Sequence, residues 1–133
     1  MNEKILALEM YSKQIEAIQK EIASVRVLKN EINKAIETLS NVKVDEETLI
    51  PVGPGVYLKA KVIDDKALLG VKSDIYIEKS LSESIEDLKK SYEELDNVEK
   101  EGLKRLNELS KVIAELKEEL QKEAEKMEKE KKD

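Results

Sequence analysis

The sequence predicts an α+β chain: a long antiparallel two-helix coiled coil with two β-hairpins at its bend, a single domain over residues 1–133. Three observations carry this prediction. Apolar residues recur at alternating three- and four-residue spacing in two long segments, and between those segments the period drops to two. Both prolines and two of the four glycines fall within Pro51-Val-Gly-Pro-Gly55, so no helix crosses that point.

The first helix is expected over residues 2–41. Its seam runs Leu8, Tyr11, Ile15, Ile18, Ile22, Val25, Lys29, Ile32, Ile36 and Leu39, apolar at every position except Lys29. Leu28, beside Lys29, is placed to rotate toward the seam instead, and a single polar seam residue more often tunes register than does chemistry. The helix is expected to stop near Ser40 and Asn41.

Residues 47–79 form the bend. Four β-like runs stand out: Thr48–Val52, Val56–Ile63, Lys66–Val71 and Ile75–Lys79. Asp64-Asp65 and Lys72-Ser73-Asp74 supply tight turns between the later runs. Val56, Leu58, Ala60 and Val62 alternate with Tyr57, Lys59, Lys61 and Ile63, giving one apolar face. A small four-stranded sheet of this kind has free edges and an apolar face that one chain cannot cover. Strand pairing between subunits, closing into a β-barrel, is therefore expected, through Leu49, Ile50, Val52, Val56, Leu58, Val62, Leu68, Leu69, Val71, Ile75 and Ile77.

The second helix, residues 80–130, opens on Ser80-Leu-Ser-Glu83, a capping box in which the Ser80 hydroxyl accepts from the Glu83 backbone and the Glu83 carboxylate reaches back. Its seam runs Leu81, Ile85, Leu88, Tyr92, Leu95, Glu99, Gly102, Leu106, Leu109, Ile113, Leu116, Leu120, Glu123 and Met127. Val98 and Leu103 flank Glu99 and Gly102, so either the seam shifts by one position there or the helix bends; for Gly102 itself two readings stand side by side, local flexibility or a close approach of the other helix. Neither stripe can be buried alone. Folding back sets Leu39 by Leu81, Ile32 by Leu88, Val25 by Leu95 and Ile15 by Leu106, with the second helix overhanging the first. A parallel homodimer is the competing arrangement, and it leaves the β block unexplained.

Composition restricts function. With 41% charged residues, 3% aromatic and no Phe or Trp, the chain lacks the bulky apolar mass of an ordinary globular core. A net charge of -6 argues against nucleic acid, whose phosphates call for clustered Lys and Arg. Without His or Cys, neither a Ser-His-Asp triad, an HExxH zinc site nor a disulfide can be built. Met1-Asn-Glu-Lys-Ile-Leu has neither the basic start nor the apolar run of a signal peptide, and no stretch approaches a membrane span. A soluble, cytoplasmic protein without catalysis, metal or cofactor is the expectation. Gly53-Pro54-Gly55 lacks the spacing of a phosphate loop, and the abundant i, i+3 and i, i+4 carboxylates are surface ion-pair partners.

The order heptad helix, Leu49-Ile-Pro-Val-Gly-Pro-Gly-Val-Tyr-Leu-Lys-Ala-Lys-Val62, Lys66-Ala-Leu-Leu-Gly-Val71, Ile75-Tyr-Ile-Glu-Lys-Ser-Leu81, heptad helix resembles the alpha class of archaeal prefoldin subunits. The likeness spans essentially the whole chain, and its specific part is residues 49–85. Two hairpins suit the alpha class, since beta-class subunits carry one. The resemblance implies an ATP-independent holdase whose subunits join through β segments into a barrel. Coiled-coil tips then hold unfolded clients for delivery to a group II chaperonin, with prefoldin beta-class subunits or further copies of the chain as partners. The client-binding candidates at the tips are Ile5, Leu6, Met10, Leu120 and Met127; Leu8, Leu116 and Leu120 also read as plain seam residues. Lys122–Asp133, almost all Glu and Lys, departs from a sticky tip and reads as a solvated, fraying end. That departure leans toward gamma prefoldin, the filament-forming paralogue, as the alternative to a closed hetero-oligomer, which is the first expectation.

Overall fold

The computed structural model of the chain describes residues 2–132, in the order α1 (Asn2–Asn41), β1 (Glu47–Gly53), β2 (Val56–Lys61), β3 (Lys66–Lys72), β4 (Ile75–Ser80) and α2 (Leu81–Lys132). Two compact units result, one from the chain up to Leu28 and from Leu95 onward, the other from Lys29–Glu94.

Each unit is held by the seam. Every seam position from Leu8 to Leu39 and from Leu81 to Glu123 is buried or half-buried, Lys29, Glu99 and Gly102 included. In the first unit Ile22, Val25 and Leu109 are the buried apolar side chains, and Arg26 Nε donates to Glu99 Oε1 at 2.8 Å. Residues 18, 22 and 26 of α1 thus meet 102 and 99 of α2 in reversed order, the antiparallel fold-back within one chain. Gly102 lies at a close approach, not a break: a Cβ there would stand 3.0 Å from Ile22 Cγ1 and 3.7 Å from Ile18 Cγ2. Of the two readings of this glycine, close helix approach is the one the packing supports.

In the second unit Lys29 keeps its seam place by setting its ammonium 4.9 Å from the centre of the Tyr92 ring, a cation–π contact that lets a charge sit on an apolar stripe. Leu28 therefore does not rotate in; it stays 47% exposed. At the end of α1, Ser40 Oγ donates to the Ile36 carbonyl and Asn41 Nδ2 to that of Glu37, side chains folding back on the last turn and adding a second donor to carbonyls four residues earlier. At the start of α2, Glu83 N donates to Ser80 Oγ at 3.1 Å, the hydroxyl half of the expected capping box. Ser84, fully buried, returns its hydroxyl to the Ser80 carbonyl.

The β segment corrects the expectation of one four-stranded sheet. It forms two separate two-stranded sheets, β1 with β2 and β3 with β4. The turns are Pro54-Gly55, with Gly55 at φ 72°, and Ser73-Asp74. Asp64-Asp65 is not a hairpin turn between β2 and β3. It links the hairpins: the Asp64 carboxylate accepts from Lys66 N, and the Asp65 carbonyl accepts from Leu81 N at 2.7 Å. Just past the end of β2 at Lys61 the Val62 carbonyl accepts from Asp45 N at 2.8 Å, and Ile63 beyond it is 82% exposed.

The two hairpins are copies of one another at an offset of 19 residues. Glu47 pairs with Lys61 as Lys66 pairs with Ser80, the register slips between Pro51 and Gly53 as between Gly70 and Lys72, and Gly53 closes on Val56 as Lys72 on Ile75. Leu49, Val52 and Tyr57 recur as Leu68, Val71 and Tyr76. In the second copy Tyr76 lays its ring 3.3 Å from where a Gly70 Cβ would stand.

Replacing Gly102 by Ala should lower stability by about 1 kcal/mol. The gain in helix propensity, up to about 1 kcal/mol, is outweighed by overpacking against buried Ile22, which costs roughly 1–3 kcal/mol. Denaturant unfolding followed by circular dichroism measures this, and a stabilised G102A variant would show that the helices separate there without cost.

Candidate functional site

Two apolar surfaces are left uncovered, one in each unit. The hairpins carry the larger. Cross-strand partners share a face, so Glu47, Leu49, Pro51, Tyr57, Lys59 and Lys61 lie on one side of the first hairpin and Thr48, Ile50, Leu58 and Ala60 on the other. In the second hairpin the corresponding inner face, with Leu69, Ile77 and Lys79, forms a groove with Asp87, Leu88 and Ser91 of α2. Lys79 Nζ donates to Asp87 Oδ2 at 2.6 Å, and this bond holds the Lys79 ammonium above its ordinary pKa of 10.5.

Nearly all the expected assembly residues are exposed here. Leu49, Ile50, Val52, Val56, Leu58, Leu68, Val71, Ile75 and Ile77 all stand open, whereas Val62 and Leu69 are half-buried. Sequence reasoning passed over Tyr57, Tyr76 and Ile63, which are equally open and flank the same strands. Alternation set Tyr57 on the face of Lys59 and Lys61, and only the ladder register, with Pro51 opposite Tyr57 and Leu49 opposite Lys59, brings apolar neighbours to that face. Exposed apolar side chains grouped this closely on two short hairpins are the kind of surface that marks an interaction site.

The second surface lies in the other unit, at the free ends of the helices. Ile5, Leu6 and Met10 on α1 and Met127 on α2 are exposed, Leu6 and Met10 by 59% and 62%. Leu8, Leu116 and Leu120 are half-buried in the seam, so Leu120 does not join the exposed group. From Ala124 to Lys131 α2 is solvated, as its charge run implies, yet it remains helical to Lys132; Asp133 lies outside the described residues.

A charged clasp sits beside these apolar groups. Lys4 Nζ donates to Glu123 and lies 3.4 Å from Glu119 Oε2. The hydrogen bond to Lys4 holds the Glu123 carboxyl below its ordinary 4.5, and the same bond raises Lys4 above 10.5. Among the described residues no group of acidic side chains could hold a metal ion, and no helix is long and apolar enough to cross a membrane.

The clasp gives a pH dependence with a definite sign. A carboxyl with a lowered folded pKa adds stability above its unfolded value of 4.5 and loses it as pH falls through the folded value. Lys4, raised, adds stability below 10.5 and loses it as pH rises through its folded value. The free helix ends should therefore hold together between about pH 4.5 and 10.5 and loosen outside that window. Distances between spin labels on α1 and α2 near Lys4 report this, and Lys4→Met should flatten the acid limb.

Comparison with known proteins places this arrangement. The family model for the prefoldin subunit matches residues 11–126. Prefoldin subunit alpha 1 of Methanocaldococcus jannaschii is 61% identical over 126 residues, covering 95% of this chain and 89% of that one. Prefoldin subunit alpha of Methanococcus aeolicus is 32% identical, covering 96% and 92%. In fold, the chain is similar to the filamentous prefoldin from Methanocaldococcus jannaschii seen by cryo-electron microscopy, with a TM-score of 0.68 at 23% identity over 90% of this chain and 99% of that one. Two long helices around paired hairpins, with matching sequence from Tyr11 to Lys126, make this chain a member of the prefoldin family of chaperones, among its alpha subunits.

Proposed function

We propose that the chain is an ATP-independent holdase subunit that captures unfolded proteins at the free helix ends and passes them to a group II chaperonin in the cytoplasm. The observation that carries this reading is the separation of the uncovered apolar groups into two sets in different units. Two joined hairpins and a pair of free ends are suited to different jobs, assembly and capture. Flexible Met10 and Met127 among the open groups favour varied clients, since a thioether on an unbranched chain adapts to many shapes. Hairpin surfaces lined by Leu49, Tyr57, Leu68 and Tyr76 would join the chain to beta-class subunits or to further copies of itself.

A second reading, a filament-forming scaffold with or without holdase activity, draws support from the filamentous prefoldin whose fold this chain shares. A chain with two hairpins has two junctions, and copies joined head to tail either close or continue according to the rotation at each junction. Electron microscopy of the pure chain at moderate and high salt separates the readings: long regular fibres establish the filament, and their absence together with a defined complex on adding a beta-class subunit establishes the hetero-oligomer.

Changing Ile5, Leu6, Met10 and Met127 together to Ser should require roughly twofold more chaperone for the same suppression of client aggregation, with assembly mass unchanged. Unaltered suppression would remove the free ends from the mechanism. Replacing residues 47–80 by a short Gly-Ser turn should leave a helical monomer by sedimentation; a variant that still assembles would move the interface to the helices.

A further inference from the structure

The 19-residue repeat of the hairpins is close in its apolar residues and inverted in its charges. Lys59 of β2 corresponds to Glu78 of β4, and Glu47 of β1 corresponds to Lys66 of β3. Both inverted positions lie on the same face as the recurring Leu49/Leu68 and Tyr57/Tyr76, so that face keeps its Leu and Tyr while two of its three charged positions change sign and the third, Lys61, becomes Ser80. Within the first hairpin Lys59 Nζ stands 4.0 Å from Glu47 Oε1, and the second hairpin carries Glu78 and Lys66 at the same two places.

We infer that the first hairpin docks on the second hairpin of another copy of this chain, β2 edge to β4 edge, and that the inverted charges select this junction over pairing of like hairpins. The inference rests on the reading that hairpins drive assembly, and it adds which hairpin meets which.

Each sheet has only two strands, so β2 and β4 each leave one side without a ladder partner. Antiparallel joining of two equivalent edges runs about a local two-fold axis, and the pleat requires that axis to pass through a residue, since otherwise side chains of opposite faces would be set together. Three central registers follow. An axis at Lys59 and Glu78 sets the two side by side, and an axis one residue earlier makes them diagonal neighbours. One residue later, Lys61 stands beside Glu78. In every case the unlike junction brings a lysine to a carboxylate. Joining β2 to β2 in the same registers brings Lys59 to Lys59 or to Lys61, and joining β4 to β4 centred on Glu78 brings two carboxylates together. Like charges directly opposed across a ladder are destabilising, and opposite ones stabilise it. The unlike junction alone avoids repulsion in all three registers.

The test uses three full-length variants, K59E, E78K and the double exchange, studied at low salt where the attraction is unscreened. Where residue 59 meets residue 78, directly or diagonally, each single variant should raise the concentration at which half the chains are assembled by roughly tenfold; in the register that sets Lys61 beside Glu78, K61E takes the place of K59E throughout the test. The double exchange should restore assembly. Mixing K59E with E78K should also restore it, in a strict one-to-one ratio, because every unlike junction then pairs opposite charges. Restored assembly in the double exchange shows that the substituted chains fold; helix content by circular dichroism checks the single variants. Pairing of like hairpins predicts that neither single variant weakens assembly, since one repulsion replaces another. That result overturns the inference, as does failure of both the mixture and the double exchange, or a wild-type chain that assembles only with a different subunit. If instead the chain with residues 47–80 replaced still assembles, the hairpin reading itself is at fault.

Discussion

The constraint on which everything else depends is that two antiparallel helices have only one seam to offer each other. That seam buries Ile22, Val25 and Leu109 and leaves the other apolar seam side chains, as far as Leu120, half covered. No third layer lies over it, so apolar residues placed off the stripe stay wet. Val27, Leu28, Val98 and Leu103 along the helices are examples, and the hairpins are the extreme case. A fold so thin has little freedom to hide a hydrophobic residue. Single exposed groups such as those four are ordinary on a protein surface; the dense set on the hairpins is the one that marks an interaction site.

The seam also explains why polar residues inside it do no harm. Lys29 is shielded by the Tyr92 ring, Glu99 accepts from Arg26, and Gly102 adds no side chain at all and lets Ile22 come close. Each solves the same problem by a different means: a cation on a π face, a charge paired at the stripe's edge, and a missing Cβ. The stripe is therefore continuous in packing although interrupted in composition.

The helices were legible in the sequence because a 3.5-residue period sustained over many turns has no other low-energy outcome, and the capping serine and the Pro-Gly cluster mark where each ends. The hairpins were legible as strands but not as a sheet. Nothing in Asp64-Asp65 distinguishes a turn that pairs its flanks from a link that parts them. The parting comes from the Asp65 carbonyl, which accepts from Leu81 N, and from Val62, which accepts from Asp45. The repeat was present in the letters of residues 47–61 and 66–80, but Pro51 against Gly70 and the Gly53-Pro54-Gly55 turn against Lys72-Ser73-Asp74 mask it until the ladder registers are compared. Leu120 had two readings, seam and tip, because both lie on one helix face; its half-buried place follows from the helix opposite, which the letters of α2 do not show.

The tyrosines make the molecule its own optical instrument. With no tryptophan, ultraviolet emission comes from four phenol rings: Tyr11 and Tyr92 lie half-buried along the seam, while Tyr57 and Tyr76 stand in water on the hairpins. Two rings thus record the state of the coiled coil, and two record whether the β strands have been covered. Substituting one pair by phenylalanine leaves the other as a label-free probe, so helix melting and subunit joining can be followed separately in the same chain by fluorescence or by absorbance near the phenolate transition.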